Sequence, residues 1–374
     1  MDALVLVSSD CHGGAPWEGY RPYLATKYHE QYDAWLGTKF ASEEEAKRWR
    51  NAFFSDEYQE QFNATAGRRE RPSNMGWEVP VGDDQARMEQ LEGDGVVAEV
   101  VFPDGNRDEP PWRGFMDVQR YSSELRAEGA RAWNRWMAEL CSIRPQQHVG
   151  GAMIDLADID TALAEMKWAK DAGLRGIKPG TPPQWLGLPM YGHDRYEPIW
   201  SASVDLEMPV NFHLGSGGPE VCAQMICSGV FERHPRLKVA WTEQGIRWAA
   251  TLLAELETIF DDPALRHART GLSLRPSEYF DRNCWLGHSG SQAREDWDLR
   301  FVLGVDKLMW GSDFPHPEGW WPHTTENLHQ CFSGFAEPEL RLILGENAAR
   351  FYDLDLAFLS HAAERVGPTV GDVA

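Results

Sequence analysis

The stretch KLMWGSDFPHPEGWWPH, residues Lys307 to His323, reads as a strand that runs into a carboxylate and then into a stiff loop. The apolar run Leu308-Met309-Trp310 reaches Gly311 and Ser312 and delivers Asp313 at its C-terminal end. His316, Glu318 and His323 follow, held apart by three prolines and a glycine. A carboxylate on a strand end with imidazoles close behind suits a metal site at the mouth of a parallel barrel. Asp313 supplies one ligand, so the others must come from other strands.

Outward from this stretch the same pattern recurs. Short β-type runs are read at Leu4–Ser9, Val96–Phe102, Val149–Ile154, Arg175–Lys178, Pro209–His213, Lys238–Thr242, Cys284–Gly287 and Lys307–Trp310. Between them the 3.6-residue periodicity predicts helices over Asp84–Glu92, Tyr121–Ile143, Ile159–Ala172, Tyr196–Leu206, about Glu220 to Arg233, and Ile246–Phe260. Strands alternating with helices predict a parallel sheet, and eight such units point to an α/β fold of the (β/α)8 TIM-barrel type, one domain over residues 1–374. An open doubly wound sheet would bring a glycine-rich dinucleotide turn after its first strand, and Asp10-Cys11-His12-Gly13-Gly14 is not one. Residues 16–75 break the alternation. They are rich in Tyr, Trp, Glu and Lys, carry helical stretches at 42–54 and 56–63, and read as a lid-like insertion.

Composition narrows the class. A formal charge of −22 excludes a phosphate-backbone binder, which needs a basic face. The N-terminal apolar run ends within a few residues, so it reads as a strand and not a signal peptide, and no run reaches membrane-spanning length. Six cysteines without a C-x-x-C pair fit reduced thiols and a cytoplasmic location. Seventeen tryptophans exceed what a core needs and fit an apolar pocket for a small-molecule substrate.

Barrel strands bring their C-terminal ends to one mouth. Here those ends carry Asp10 and His12, Lys178, His213, Glu243, His288 and Asp313. Asp10 and His12, two apart on an extended chain, share one side, while Cys11 points into the wall. Singly, each has an ordinary structural explanation: Asp10 and Glu243 as helix caps, His213 as a hydrogen-bonded core histidine, Asp313 as a turn residue. Together they form a cluster of carboxylates and imidazoles that is costly to bury without a cation. A divalent metal with mixed N/O ligation, Zn, Mn or Fe, as one ion or two, answers that cost. His288 is a pocket candidate, and His316, nearest Asp313, is the added ligand candidate ahead of His323.

These residues resemble the amidohydrolase-related metal-dependent (β/α)8 barrels, the group that contains aminocarboxymuconate-semialdehyde decarboxylase and its relatives. The matching pieces are Ser9 to His12, Pro209 to His213, Phe231 to Glu243, Gly311 to Pro315, and Ile343 to Ala348. The resemblance implies Asp10, His12, His213 and Asp313 as metal ligands. It also marks two departures: Asp-x-His where many relatives have His-x-His or Glu-x-His, and Glu243 where the decarboxylases place a histidine. In dinuclear barrel hydrolases a lysine at the position of Lys178 bridges two metals as a carbamate.

Two chemistries follow. In the first, a hydrolase or carboxy-lyase acts on a small carbonyl or carboxylate substrate through metal-activated water, with Glu243 or Asp313 as base and His288 polarising the substrate. In the alternative, Asp10, His12, His213, Glu243, Asp313 and His316 hold two irons, as in the diiron monooxygenases of the same superfamily, and the substrate is apolar. A homodimer is the common assembly among such barrels.

Overall fold

The computed structural model describes residues 3–41, 82–103, 109–114, 118–215, 217–265, 271–290, 293–316 and 319–374. The expected helices at 42–54 and 56–63, and Glu318, lie outside them.

Among the described residues nine short parallel strands build the centre: β1 (Leu6–His12), β2 (Val96–Phe102), β3 (His148–Gly150), β4 (Ala152–Ile154), β5 (Ile177–Pro179), β6 (Val210–Phe212), β7 (Val239–Thr242), β8 (Cys284–His288) and β9 (Leu308–Trp310). They pair in chain order as β1-β2-β3 and β4 through β9, always parallel. Only Gly151 separates β3 from β4, so the single third strand expected from the sequence is one strand position interrupted at one residue. Closure comes from the last strand meeting the first. Asp313 N donates to Asp10 O at 2.8 Å, His12 N donates to Phe314 O at 2.6 Å, and Cys11 bridges Phe314 in parallel. Eight strand positions closed on themselves, with helices between them, make the (β/α)8 barrel.

The helices start where the sequence places their caps. Asp83 accepts from Ala86 N at 2.8 Å to open Asp84–Gly93, and Asp158 accepts from Thr161 N at 3.0 Å to open Ile159–Asp171. Helix Ser123–Ile143 opens on Ser122. Among the described residues no helix is long and apolar enough to cross a membrane.

Strand β1 carries the irregularity that matters for the site. Leu4, Leu6 and Cys11 pack in one hydrophobic cluster although strict alternation would put Cys11 opposite the other two. The register of β1 against β2 shifts between Ser8 and Cys11. A bulge there resets the alternation, turns Cys11 into the wall, and aims Asp10 and His12 into the mouth.

Of the 16–75 insertion, the described part holds two 3-10 turns, Trp17–Tyr23 and Thr26–Tyr28, and a helix, His29–Ala41. It packs on helix Ser123–Ile143: Tyr23 Oη donates to Glu139 and Tyr28 Oη to Glu124, each at 2.6 Å, and Ala25 N donates to Glu128 at 2.7 Å.

Candidate metal centre

Four strand ends supply the centre. Asp10 and His12 come from β1, His213 from the residue after β6, Glu243 from the residue after β7, and Asp313 and His316 from the turn after β9. Their nitrogen and oxygen atoms form two overlapping donor groups, Asp10-His12-His213-Glu243 and His12-Glu243-Asp313-His316, each with its atoms within 4.8 Å of one another. His213 Nε2 lies 3.2 Å from Asp10 Oδ1 and 3.0 Å from Glu243 Oε2. His12 Nε2 lies 3.2 Å from Asp313 Oδ1 and 3.8 Å from Glu243 Oε2, and His316 Nδ1 lies 3.0 Å from Asp313 Oδ1. The His12 ring stacks on His316 at 3.9 Å between centroids, and Phe102 backs the His213 ring at 4.4 Å.

The backbone is bent to achieve this. Glu243 and Asp313 both adopt left-handed conformations, φ 56° and 59°. A non-glycine residue there costs on the order of 1–3 kcal/mol, a strain that clusters at functional sites. Gly311 is required beside them, since a Cβ at that position would lie 2.7 Å from Asp10 Cβ.

Electrostatics show a cluster short of positive charge. Burial raises Glu243, and the charge of Asp313 raises it further. Burial also lifts Asp313 above the usual carboxylate range, even with His316 beside it. Burial works to raise Asp10 as well, but the charge and hydrogen bond of His213, with His12 and Ser289, hold it below its ordinary value. Burial and then the neighbouring His316 push His12 down to about 4. His213 goes the other way, since Glu243 and Asp10 outweigh its burial and carry it to about 9.

The donor set fits a divalent ion. Among the described residues both ring nitrogens of His12 and Asp313 Oδ2 are buried without a hydrogen-bond partner, and Glu243 Oε2 and Asp313 Oδ1 have only imidazole nitrogens beside them. Leaving so many buried polar atoms unsatisfied is costly, and a cation among them removes that cost. Mixed imidazole and carboxylate donors suit Mn, Zn or Fe.

A cavity of about 300 Å³ opens onto this cluster. His12, His213, Glu243 and His316 line it together with Arg113, Lys178, Gly180, Pro182, Trp185 and Leu214. Of the three clustered carboxylates, only Glu243 is among the lining residues.

The capping explanations do not hold. The helix after β7, Arg247–Asp261, starts at Ile246 without a side-chain cap, so Glu243 is not spent there. Lys178 lines the cavity as its strand-end position predicts. His288 and His323 are placed elsewhere. His288 faces Asp296, at 3.3 Å, and the Trp297 ring, at 4.9 Å between centroids, and it does not line the cavity. His323 occupies the N-cap position of helix Thr324–Phe332. Sequence reasoning missed Ser289, whose hydroxyl donates to Asp10 Oδ2, and Arg113. Ser289 could have been found from its place at the end of a strand. Arg113 sits in a loop with no periodic signal.

Comparisons with known proteins agree with this architecture. The family model described as Amidohydrolase matches residues 108–354. Gamma-resorcylate decarboxylase of Rhodococcus jostii (strain RHA1) is 24% identical over 270 residues, 60% of this chain and 77% of that protein. Among solved structures, an amidohydrolase from Mycobacterium avium subsp. paratuberculosis K-10 superposes with a TM-score of 0.70 at 18% identity, covering 95% of this chain and 99% of the other. A dihydroxybenzoic acid decarboxylase from Polaromonas sp. JS666, with bound manganese and the inhibitor 2-nitroresorcinol, gives a TM-score of 0.63 at 16% identity over 95% and 99% of the two chains. At these identities the structural likenesses speak to the fold.

Proposed function

This chain belongs to the amidohydrolase family, and from that premise we propose that it is a metal-dependent carboxy-lyase that removes CO₂ from a small, partly apolar carboxylic acid. The observation that carries the reading is the donor cluster at the cavity floor, in a family member whose named relative is a decarboxylase. Asp10, His12, His213 and Asp313 are the proposed ligands, with His316 and Glu243 at the open side. A divalent ion held there would supply positive charge to bind and polarise the substrate carboxylate and its neighbouring oxygen.

The residues of the chain do the rest. Glu243, the one clustered carboxylate that lines the cavity, is raised by burial, which favours its protonated form. Loss of CO₂ needs that proton. The carbon that bore the carboxylate accepts it from Glu243, the carbon–carboxylate bond breaks, CO₂ leaves, and solvent returns a proton to Glu243. Ser289 fixes the Asp10 carboxylate by hydrogen bond, and the Phe102 ring packs against His213. Pro110, Pro182, Trp185 and Leu214 form apolar walls that hold a flat substrate and thin the water around it. The hydrolytic and diiron oxygenase alternatives draw no support from the named relatives.

The test is CO₂ release by protein loaded in turn with manganese, zinc or ferrous iron, using gamma-resorcylate, other dihydroxybenzoates and benzene dicarboxylates. Release of CO₂ with the matching decarboxylated product supports the reading. No release from any acid with any of the three metals, alongside hydrolysis of an ester or amide, would sink it.

A further inference from the structure

We infer that Lys178 and Arg113 form an anion-recognition pair that makes the cavity select planar acids carrying a second anionic group besides the carboxylate at the metal cluster. The inference rests on the carboxy-lyase reading for its reaction and on the cavity's own charges for its substrate class.

Two cations line the cavity, and neither has a carboxylate to itself. Arg113 is buried to 2% side-chain exposure, and its Nη1 lies 2.9 Å from Asp155 Oδ2. That same oxygen takes a second guanidinium, since Arg126 Nε lies 2.8 Å from it. One carboxylate therefore serves two arginines. Lys178 lines the same cavity, and among the described residues no carboxylate lies within ion-pair distance of its ammonium and no hydrogen bond holds it. Glu109 also lines the cavity, but it is engaged by Lys39. Of the two cations that line the cavity, Arg113 shares its carboxylate with Arg126 and Lys178 has none, in a chain whose formal charge is −22.

An uncompensated buried cation is expensive, and a protein keeps one where a ligand completes it. The local fold also makes room for it. A Cβ at position 180 would fall 1.5 Å from Arg113 Nη2, so only glycine there lets the guanidinium lie across the strand end next to Lys178. Arg113 is shaped to take a carboxylate side-on and Lys178 to take one as a point charge. Trp185, Leu214 and Pro182, which line the same cavity, are flat or apolar, which suits a ring and not a sugar. A volume of about 300 Å³ is at the small end of ligand sites and admits one ring, not a peptide. The substrate class is thus an aromatic or conjugated acid with two anionic groups, one for the metal cluster and one for Lys178 and Arg113.

Calorimetric titration of the manganese-loaded protein with isophthalate and with benzoate tests this. Wild type is expected to prefer isophthalate by roughly tenfold, the worth of one charge-assisted contact. Lys178→Met should erase the preference and Lys178→Arg should restore it, with Lys178→Gln standing in if the Met variant does not fold. Equal binding of both acids by wild type, or an undiminished preference in Lys178→Met, overturns the pair. CO₂ release measured in parallel separates the two readings. If no acid loses CO₂ yet Lys178→Met still abolishes the isophthalate preference, the reaction assignment falls and the recognition pair stands. If CO₂ is released and the preference ignores Lys178, the pair falls alone.

Discussion

Arg87 Nη1 donates to the backbone oxygen of His12 at 2.7 Å, which ties a buried ion pair directly to a proposed metal ligand. The same guanidinium holds Glu99, Nη2 to Oε2 at 2.6 Å, and covers the Phe314 ring at 5.3 Å, next to Asp313. Both residues are fully buried. Arg87→Gln therefore leaves the Glu99 charge with only His148 beside it and loosens both ends of the donor cluster. The expected cost is about 3–5 kcal/mol in denaturant unfolding, the usual loss on breaking a buried pair. Manganese affinity should fall by roughly tenfold, within the range seen when a partner supporting a ligand is lost. An Arg87→Gln variant with wild-type unfolding midpoint and wild-type manganese affinity would show that the contact positions nothing.

Acid should expose the other side of that pair. Burial would raise Glu99, but Arg87 and His148 hold it down to about 2, well under its ordinary 4.5. A depressed carboxylate contributes stability that is fully present above the unfolded value and is lost as pH falls through the folded one. The Glu99 contribution should thus decline between pH 4.5 and pH 2. Unfolding free energy followed over that window in wild type and in Glu99→Gln checks it. Parallel curves for the two proteins would remove Glu99 as a cause of acid sensitivity.

Much of this was legible in the sequence because barrel geometry turns strand-end positions into neighbours. Asp10, His12, His213, Glu243 and Asp313 could be read as one cluster from position alone, and the structure gathers all five. Side-chain direction was harder to read. A Cβ on Gly287 would meet Thr242 Oγ1 at 2.9 Å and Ser9 Oγ at 3.0 Å, so that position faces the barrel interior. The next residue, His288, then turns outward to Asp296 and Trp297, as the two-residue period requires. The bulge in β1 shows the converse. Asp10 and His12 reach the mouth because the register shifts before Cys11, which no spacing rule in the sequence reveals. Arg113 was illegible for a third reason. Its role depends on Gly180 far along the chain leaving space for it.

Glu243 separates holding metal from moving a proton. It belongs to both donor groups, and it is also the clustered carboxylate that lines the cavity. Glu243→Gln keeps shape and removes the transferable proton. With manganese saturating, the variant should keep near wild-type metal content while kcat falls by about 10²–10⁴, the usual worth of a general acid. Turnover within a few-fold of wild type would assign the proton to another group.

The ligands themselves give a cleaner outcome. His213 bridges Asp10 and Glu243, and Asp313 bridges His12 and His316. Removing either one takes a donor from the cluster and leaves buried charges facing one another. His213→Ala and Asp313→Ala should each lose metal during dialysis that wild type survives, as read by elemental analysis. Chelation of wild type should lower its melting temperature, because an ion bound only to the folded state stabilises it by mass action. Full occupancy in either variant would refute the centre.

Recognition by Lys178 carries its own pH signature. Burial pushes the Lys178 ammonium down to about 8, with Arg113 adding to the shift. Below that value the side chain is a cation and attracts an anionic ligand. Above it the charge is lost, so affinity for isophthalate should fall as pH rises through about 8. The acid itself stays fully ionised over this range, so the change belongs to the protein. Lys178→Arg keeps its charge to far higher pH and should bind with a flat profile between pH 7 and roughly pH 10. Titrations of both proteins at half-unit steps decide it, and a wild-type profile as flat as that of the arginine variant would rule Lys178 out as the titrating cation.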